Sequence, residues 1–120
     1  MKTRVLGKDL TVSAVGLGCM GFSHASGAPT EKSVAVKTLR EAYEMGYTFF
    51  DTAECYTGVN PDGSTSYNEE LVGEALRDVR DKVVIATKCG VHHAPDQSLI
   101  LDSSPATIRA SVEGSLKRLG

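Results

Sequence analysis

Three side chains of this sequence could carry acid–base chemistry together: the carboxylate of Asp51, the phenol of Tyr56 and the ammonium of Lys88. Asp51 ends the apolar pair Phe49-Phe50 and stands five residues before Tyr56. Lys88 ends a second apolar run, Val83-Val84-Ile85-Ala86-Thr87. Such runs read as buried strands that deliver a polar group to an exposed C-terminal end. A free phenol ionises near pH ~10, so it is a weak acid at neutrality. An ammonium beside a phenol favours the phenolate, and a carboxylate keeps that ammonium charged and aimed. A trio of this kind can donate a proton and steady a developing oxyanion. Singly, Asp51 could cap a loop, Lys88 could be a solvated charge and Tyr56 a rim aromatic, since polar residues are common at strand ends. Jointly they form an acid–base constellation of the sort found in clefts.

The elements that must position these groups can be read from periodicity. Arg4–Leu6 and Leu10–Ser13, joined through Gly7 and Asp9, predict a hairpin. Ala14–Leu17 predicts a strand running into Gly16, Gly18 and Gly21. The Gly16-x-Gly18-x-x-Gly21 spacing matches a dinucleotide fingerprint. The next residues, Phe22–Pro29, are loop-like, whereas that motif must open a helix at once. Close approach of backbone to a ligand is the inference that survives. Thr30 predicts a helix cap, with Ala35, Val36, Leu39, Ala42 and Tyr43 as the apolar stripe and Gly46 as the stop. Strand Tyr47–Phe50 follows. Residues 54–67 are dense in turn formers and read as a loop. Asn68 predicts the cap of a second helix whose face is Leu71, Val72, Ala75, Leu76 and Val79. Strand Val83–Thr87 comes next, then a polar loop over 90–104. Ser104 and Pro105 predict the start of a third helix with the stripe Ile108, Val112, Leu116 and with Arg109, Lys117 and Arg118 on the wet side.

Alternation of strand and helix means parallel strands with covering helices, an α/β fold. The strand centres near Val15, Phe49 and Ile85 lie 34 and 36 residues apart. A (β/α)8 TIM barrel of about 250 residues uses about 31 per unit. About eight strands are needed to fill a barrel interior, so three units make part of one. The reading is one domain, 1–120, comprising a hairpin and about three βα units of an N-terminal barrel portion. An open sheet edge of this kind invites self-association.

Composition narrows the function classes. The net charge of −2 argues against a dedicated nucleic-acid binder. No apolar run approaches the roughly 20 residues of a membrane helix. No secretory signal is visible, which points to the cytoplasm. Cys19, Cys55 and Cys89 are widely spaced and form no C-x-x-C pair, so a structural zinc site is not expected. They read as small thiols, with Cys89 beside Lys88 the candidate for reactivity. His24, His92 and His93 fall in loops and read as surface or substrate-loop residues; a metal on His92, His93 and Asp96 is the weaker alternative.

Five ordered blocks carry a resemblance: Gly16–Gly21, Asp51–Tyr56, Asn68–Leu76, Val83–Lys88 and Ile108–Gly120. Together they resemble the aldo-keto reductases, most of all the branch that shares the Gly-Leu-Gly-Cys-Met-Gly opening. The resemblance implies a (β/α)8 barrel whose N-terminal hairpin closes the bottom, with NADPH extended across the top. It implies catalytic roles for Asp51, Tyr56 and Lys88. The backbone around Gly18, Cys19 and Met20, together with Asp51, would lie near the nicotinamide ribose. The fourth catalytic position, a His after strand 4, and most of the adenosine-phosphate pocket would fall beyond Gly120. The implied activity is NADPH-dependent reduction of aldehydes or ketones, with a small carbonyl compound as substrate and this portion inactive alone. The alternative is a cofactor-sensing or interaction module of the same fold.

Overall fold

The computed structural model describes residues 1–120. The chain opens with an antiparallel hairpin, β1 (Thr3–Leu6) and β2 (Leu10–Ser13). Its turn is made by Gly7 in the left-handed region at φ +62°. The next strand, β3 (Leu17–Gly18), is shorter than the predicted Ala14–Leu17 segment. Ser13 Oγ donates to the Val15 carbonyl at 2.7 Å, which bends the chain before it reaches the sheet. A 3-10 turn at Met20–Phe22 follows, and then helix α1 (Lys32–Glu44). Its cap is Glu31 rather than Thr30: the Glu31 carboxylate accepts the Val34 N–H at 3.1 Å. Hydrogen bonds from Ser33 and from that N–H hold Glu31 below the usual carboxylate range. Gly46, at φ +103°, turns the chain out of α1.

Strand β4 (Phe49–Asp51) is followed by a hairpin, β5 (Thr57–Val59) and β6 (Thr65–Tyr67). Helix α2 (Asn68–Leu76) and a 3-10 run (Arg77–Lys82) lead to β7 (Val84–Ala86). A second hairpin, β8 (Val91–His93) and β9 (Leu99–Leu101), precedes helix α3 (Pro105–Leu119). The sequence predicts loops where both hairpins stand. Strands of three residues, with Ser66 alone among them buried, are too short to show a period of two in the sequence. The two hairpins also share a turn. In Asn60-Pro61-Asp62-Gly63-Ser64 and Ala94-Pro95-Asp96-Gln97-Ser98 the aspartate accepts both the N–H and the hydroxyl of the serine two residues on.

β3, β4 and β7 form one parallel sheet with β4 central. The register aligns Leu17, Phe50 and Ile85 in one row and Gly18, Asp51 and Ala86 in the next. Successive rows point to opposite faces. The first row packs on the helices, against a core of Leu39, Val72, Leu76 and Val79. The second row faces the other way and carries Asp51. Phe50, Leu39 and Leu76 are fully buried, each burial contributing about 1.5–3 kcal/mol. The stripes predicted for α1 and α2 face this core.

Helix α3 differs from its predicted orientation. Ser104 caps it, with Pro105 in the first turn, as the sequence predicts. Ile108, Val112 and Leu116, however, are exposed, and Ser111, Ser115 and Leu119 are buried. Small hydroxyl residues let α3 approach α2 at Gly73, where an added Cβ would lie 2.2 Å from the Arg118 carbonyl. Arg118 turns inward with them instead of lying on the wet side. The β1–β2 hairpin meets the opposite end of β4, where the Ser13 N–H donates to Thr48 Oγ1 and the Thr48 N–H donates to Ser13 Oγ. No helix is long and apolar enough to cross a membrane.

Candidate active site

The site stands at the C-terminal ends of β4 and β7, the end where parallel barrel strands present polar residues. Asp51 is the last residue of β4. Lys88 lies two residues past β7 and so points to the same side as Ala86, the register partner of Asp51. Lys88 Nζ donates to Asp51 Oδ1 at 2.6 Å, to the Thr52 carbonyl at 2.8 Å and to Tyr56 Oη at 3.3 Å. It also lies 4.8 Å from the centroid of the Tyr56 ring. The three residues singled out in the sequence therefore meet through one ammonium. Burial opposes the charge on Lys88, but hydrogen bonds to Asp51 and Tyr56 and the Asp51 charge outweigh it, and the net shift is upward. The ammonium is thus held charged where it touches the phenol. Asp51 and Lys88 are about half exposed, so the trio faces open space.

Residues 53–56 bring the phenol back over the sheet. The Tyr56 N–H donates to the Ala53 carbonyl and the Glu54 N–H donates to the Lys88 carbonyl at 3.1 Å. The Tyr56 carbonyl accepts the Ser23 hydroxyl at 2.8 Å and the Asn68 N–H at 3.0 Å. His24 lies flat against the Tyr56 ring, with centroids 5.8 Å apart. It donates from Nδ1 to the Thr57 carbonyl at 2.9 Å. The His93 ring is 5.3 Å from that of His24, and its Nε2 donates to the Cys55 carbonyl at 3.1 Å. His24 thus packs on the Tyr56 ring and His93, which stands in β8 rather than in a loop, packs on His24, neither of which their positions in the sequence reveal. No group of three or more His, Cys, Asp or Glu residues is placed to hold a metal ion.

The residues named for a cofactor divide. Gly18 faces open space: an added Cβ would meet nothing within 4 Å. It is the register partner of Asp51, so a flat ring could approach the backbone beside the trio. Met20 is exposed. The Cys19 thiol instead points into the core and donates to the Leu17 carbonyl. Burial, helped by the Asp51 charge, pushes its pKa up to about 12. The Cys19 N–H and carbonyl are also engaged, by the Asp51 carbonyl and the Asn68 amide. Cys19 can therefore shape the turn but has no free group to offer a ligand.

Sequence reasoning missed Asn68 and Glu69. Asn68 is the first residue of α2, but its side chain caps nothing. It accepts from Thr52 Oγ1 at 2.7 Å and donates to the Cys19 carbonyl and to Ser23 Oγ, both at 2.8 Å. Glu69 is fully buried and accepts from Thr87 Oγ1, Ser115 Oγ and Arg118 Nε. An acidic pair at a helix start reads as favourable to the dipole, and nothing local shows that either side chain turns inward.

Parallel βα units carrying an acid–base trio at their C-terminal rim are the architecture of a barrel enzyme. The sequence matches the Aldo/keto reductase family over residues 14–120. The probable aldo-keto reductase 1 of Glycine max is 38% identical over 109 residues, which is 90% of this chain and 30% of that protein. The putative aldo-keto reductase of Pseudomonas aeruginosa superposes with a TM-score of 0.78 at 36% identity, over 98% of this chain and 42% of that one. The aldo/keto reductase of Klebsiella pneumoniae, solved with NADP and acetate, gives 0.63 at 32% identity over 94% and 33%. The chain belongs to the aldo/keto reductase family. Its fold is the N-terminal part of a (β/α)8 barrel, and it spans about a third of the length of the curated relative it matches.

Proposed function

We propose that this chain carries the proton-donating part of an NADPH-dependent reductase of aldehydes or ketones. The observation that carries the reading is the single contact set of Lys88 Nζ, which reaches Asp51 and Tyr56 at once. Tyr56 hydrogen-bonds the carbonyl oxygen while negative charge develops on it and then gives that oxygen its phenolic proton, which leaves a phenolate beside the alcohol. Lys88 offsets the negative charge left on Tyr56, and Asp51 keeps Lys88 charged and directed. When bound, NADPH supplies the hydride. Gly18 and Asp51 would sit beside its nicotinamide ribose, with Met20 at the rim; the open space at Gly18 supports this placement. The NADP-bound Klebsiella pneumoniae relative supports the choice of cofactor.

The test is Tyr56→Phe in an enzyme that carries this chain. Loss of a general acid lowers kcat by about 10²–10⁴-fold. NADPH binding, followed by quenching of its fluorescence, stays close to the parent value. Near-parent turnover of an aldehyde panel by the variant would overturn the role of Tyr56.

A further inference from the structure

We propose that Asn68 and Glu69 are the positioning residues of the site: Asn68 sets Tyr56 and the anchor of Lys88, and Glu69 sets the strand end that carries Lys88. The proposal rests on the proton-donor reading of Tyr56 given above. Both side chains are only 1% exposed. Each bond that Asn68 makes leads to the trio. Its N–H and its partner Ser23 both bond the Tyr56 carbonyl. Its Oδ1 takes the hydroxyl of Thr52, whose own carbonyl receives Lys88 Nζ. Its Nδ2 also ties the Cys19 carbonyl, on the turn that follows Gly18.

Glu69 does the same from the neighbouring position. One carboxylate oxygen accepts Thr87 Oγ1 at 2.6 Å and Ser115 Oγ at 2.7 Å; the other accepts Arg118 Nε at 2.6 Å. Thr87 is the residue before Lys88. Packing alone would favour apolar side chains at two such buried positions, because desolvating polar groups is costly. What the polar pair adds is direction. Both strand ends and the Tyr56 turn are referred to one rigid helix start. A shift of an ångström at Tyr56 Oη would break its 3.3 Å contact with Lys88.

The test uses the 120-residue chain and reads the trio without turnover. In the parent chain, Tyr56→Phe displaces the ¹⁵N ammonium resonance of Lys88. Asn68→Asp keeps the shape and one acceptor but removes both Nδ2 donors. Thr52→Val and Thr87→Val each remove one hydroxyl that the pair holds, and Thr87 lies near the surface, where folding tolerates the change. In each background the displacement caused by Tyr56→Phe falls at least about twofold, as expected when a member of a coupled network is lost. Leu71→Ala weakens α2 packing without touching these bonds and keeps the full displacement. Should Asn68→Asp not fold, the two valine variants decide. A full displacement in the valine variants overturns the proposal, and so does its loss in Leu71→Ala, since the effect would then follow stability alone. A Lys88 resonance indifferent to Tyr56→Phe in the parent chain overturns the proton-donor reading itself, and the positioning proposal with it.

Discussion

Asp51–Lys88 and Glu69–Arg118 are both carboxylate–cation pairs at 2.6 Å, yet they have different surroundings. The side chains of Asp51 and Lys88 are 46% and 49% exposed; those of Glu69 and Arg118 are 1% and 22% exposed. Water screens the first pair, so its net effect on folding is small. Little water reaches the second, so neither charge can lose its partner cheaply. The first pair keeps an open side, toward Tyr56 and the space above Gly18. The second is buried against Thr87, Ser115 and Arg118, which leaves a ligand no access to it. Equal separation in two places thus leaves one pair open to a ligand and closes the other into the packing.

The sharpest way to break this contrast is Glu69→Ala. Removing the carboxylate leaves Arg118 only the longer 3.8 Å contact with Glu54 and strips the Thr87 and Ser115 hydroxyls of their acceptor, and should cost about 3–5 kcal/mol in urea unfolding. A loss below one kcal/mol, like that of a surface pair, would mean that burial does not separate the two. Gly73→Ala is next. Its Cβ would stand 2.2 Å from the Arg118 carbonyl, so α3 must move away from α2. The expected loss is about 1–3 kcal/mol, with Arg118 drawn off Glu69.

Asp51→Asn addresses the exposed pair and should cost only about 0–1 kcal/mol. Its pH dependence is the sharper measurement. The Lys88 pKa is raised above the ordinary 10.5 on folding, so its stabilising contribution is complete below that pH. It disappears as the pH rises through the folded-state value. The stability gap between parent and Asp51→Asn should therefore hold from neutrality to about 10.5 and close only above it. The smallest effect belongs to the outer face of α3. Val112→Thr, at an exposed position, should stay within about 0.5 kcal/mol of the parent.

Legibility followed the locality of the signal. The faces of α1 and α2 were readable because a 3.6-residue period needs no partner to be seen. The trio was readable because each member closes or follows an apolar run. The stripe of α3 misled for the same reason: Ile108, Val112 and Leu116 have the spacing of a core face but point outward. The face that packs is marked by Ser111, Ser115 and Leu119, and a serine is a core residue only where the neighbouring backbone comes as close as Gly73 allows. The hairpins at 57–67 and 91–101 were unreadable because their strands are three residues each.

By itself, the order of residues determined the alternating elements, their spacing and the choice of Asp51, Tyr56 and Lys88 as the candidate acid–base trio. Those follow from hydrophobic period and residue chemistry, which act over neighbouring positions. Only the folded chain decided that Asn68 turns inward rather than capping its helix, that Cys19 is sealed in the core and that Arg118 meets Glu69. Those outcomes depend on which buried donors and acceptors face one another across dozens of residues of sequence. Pairing of that kind is a property of the packed chain.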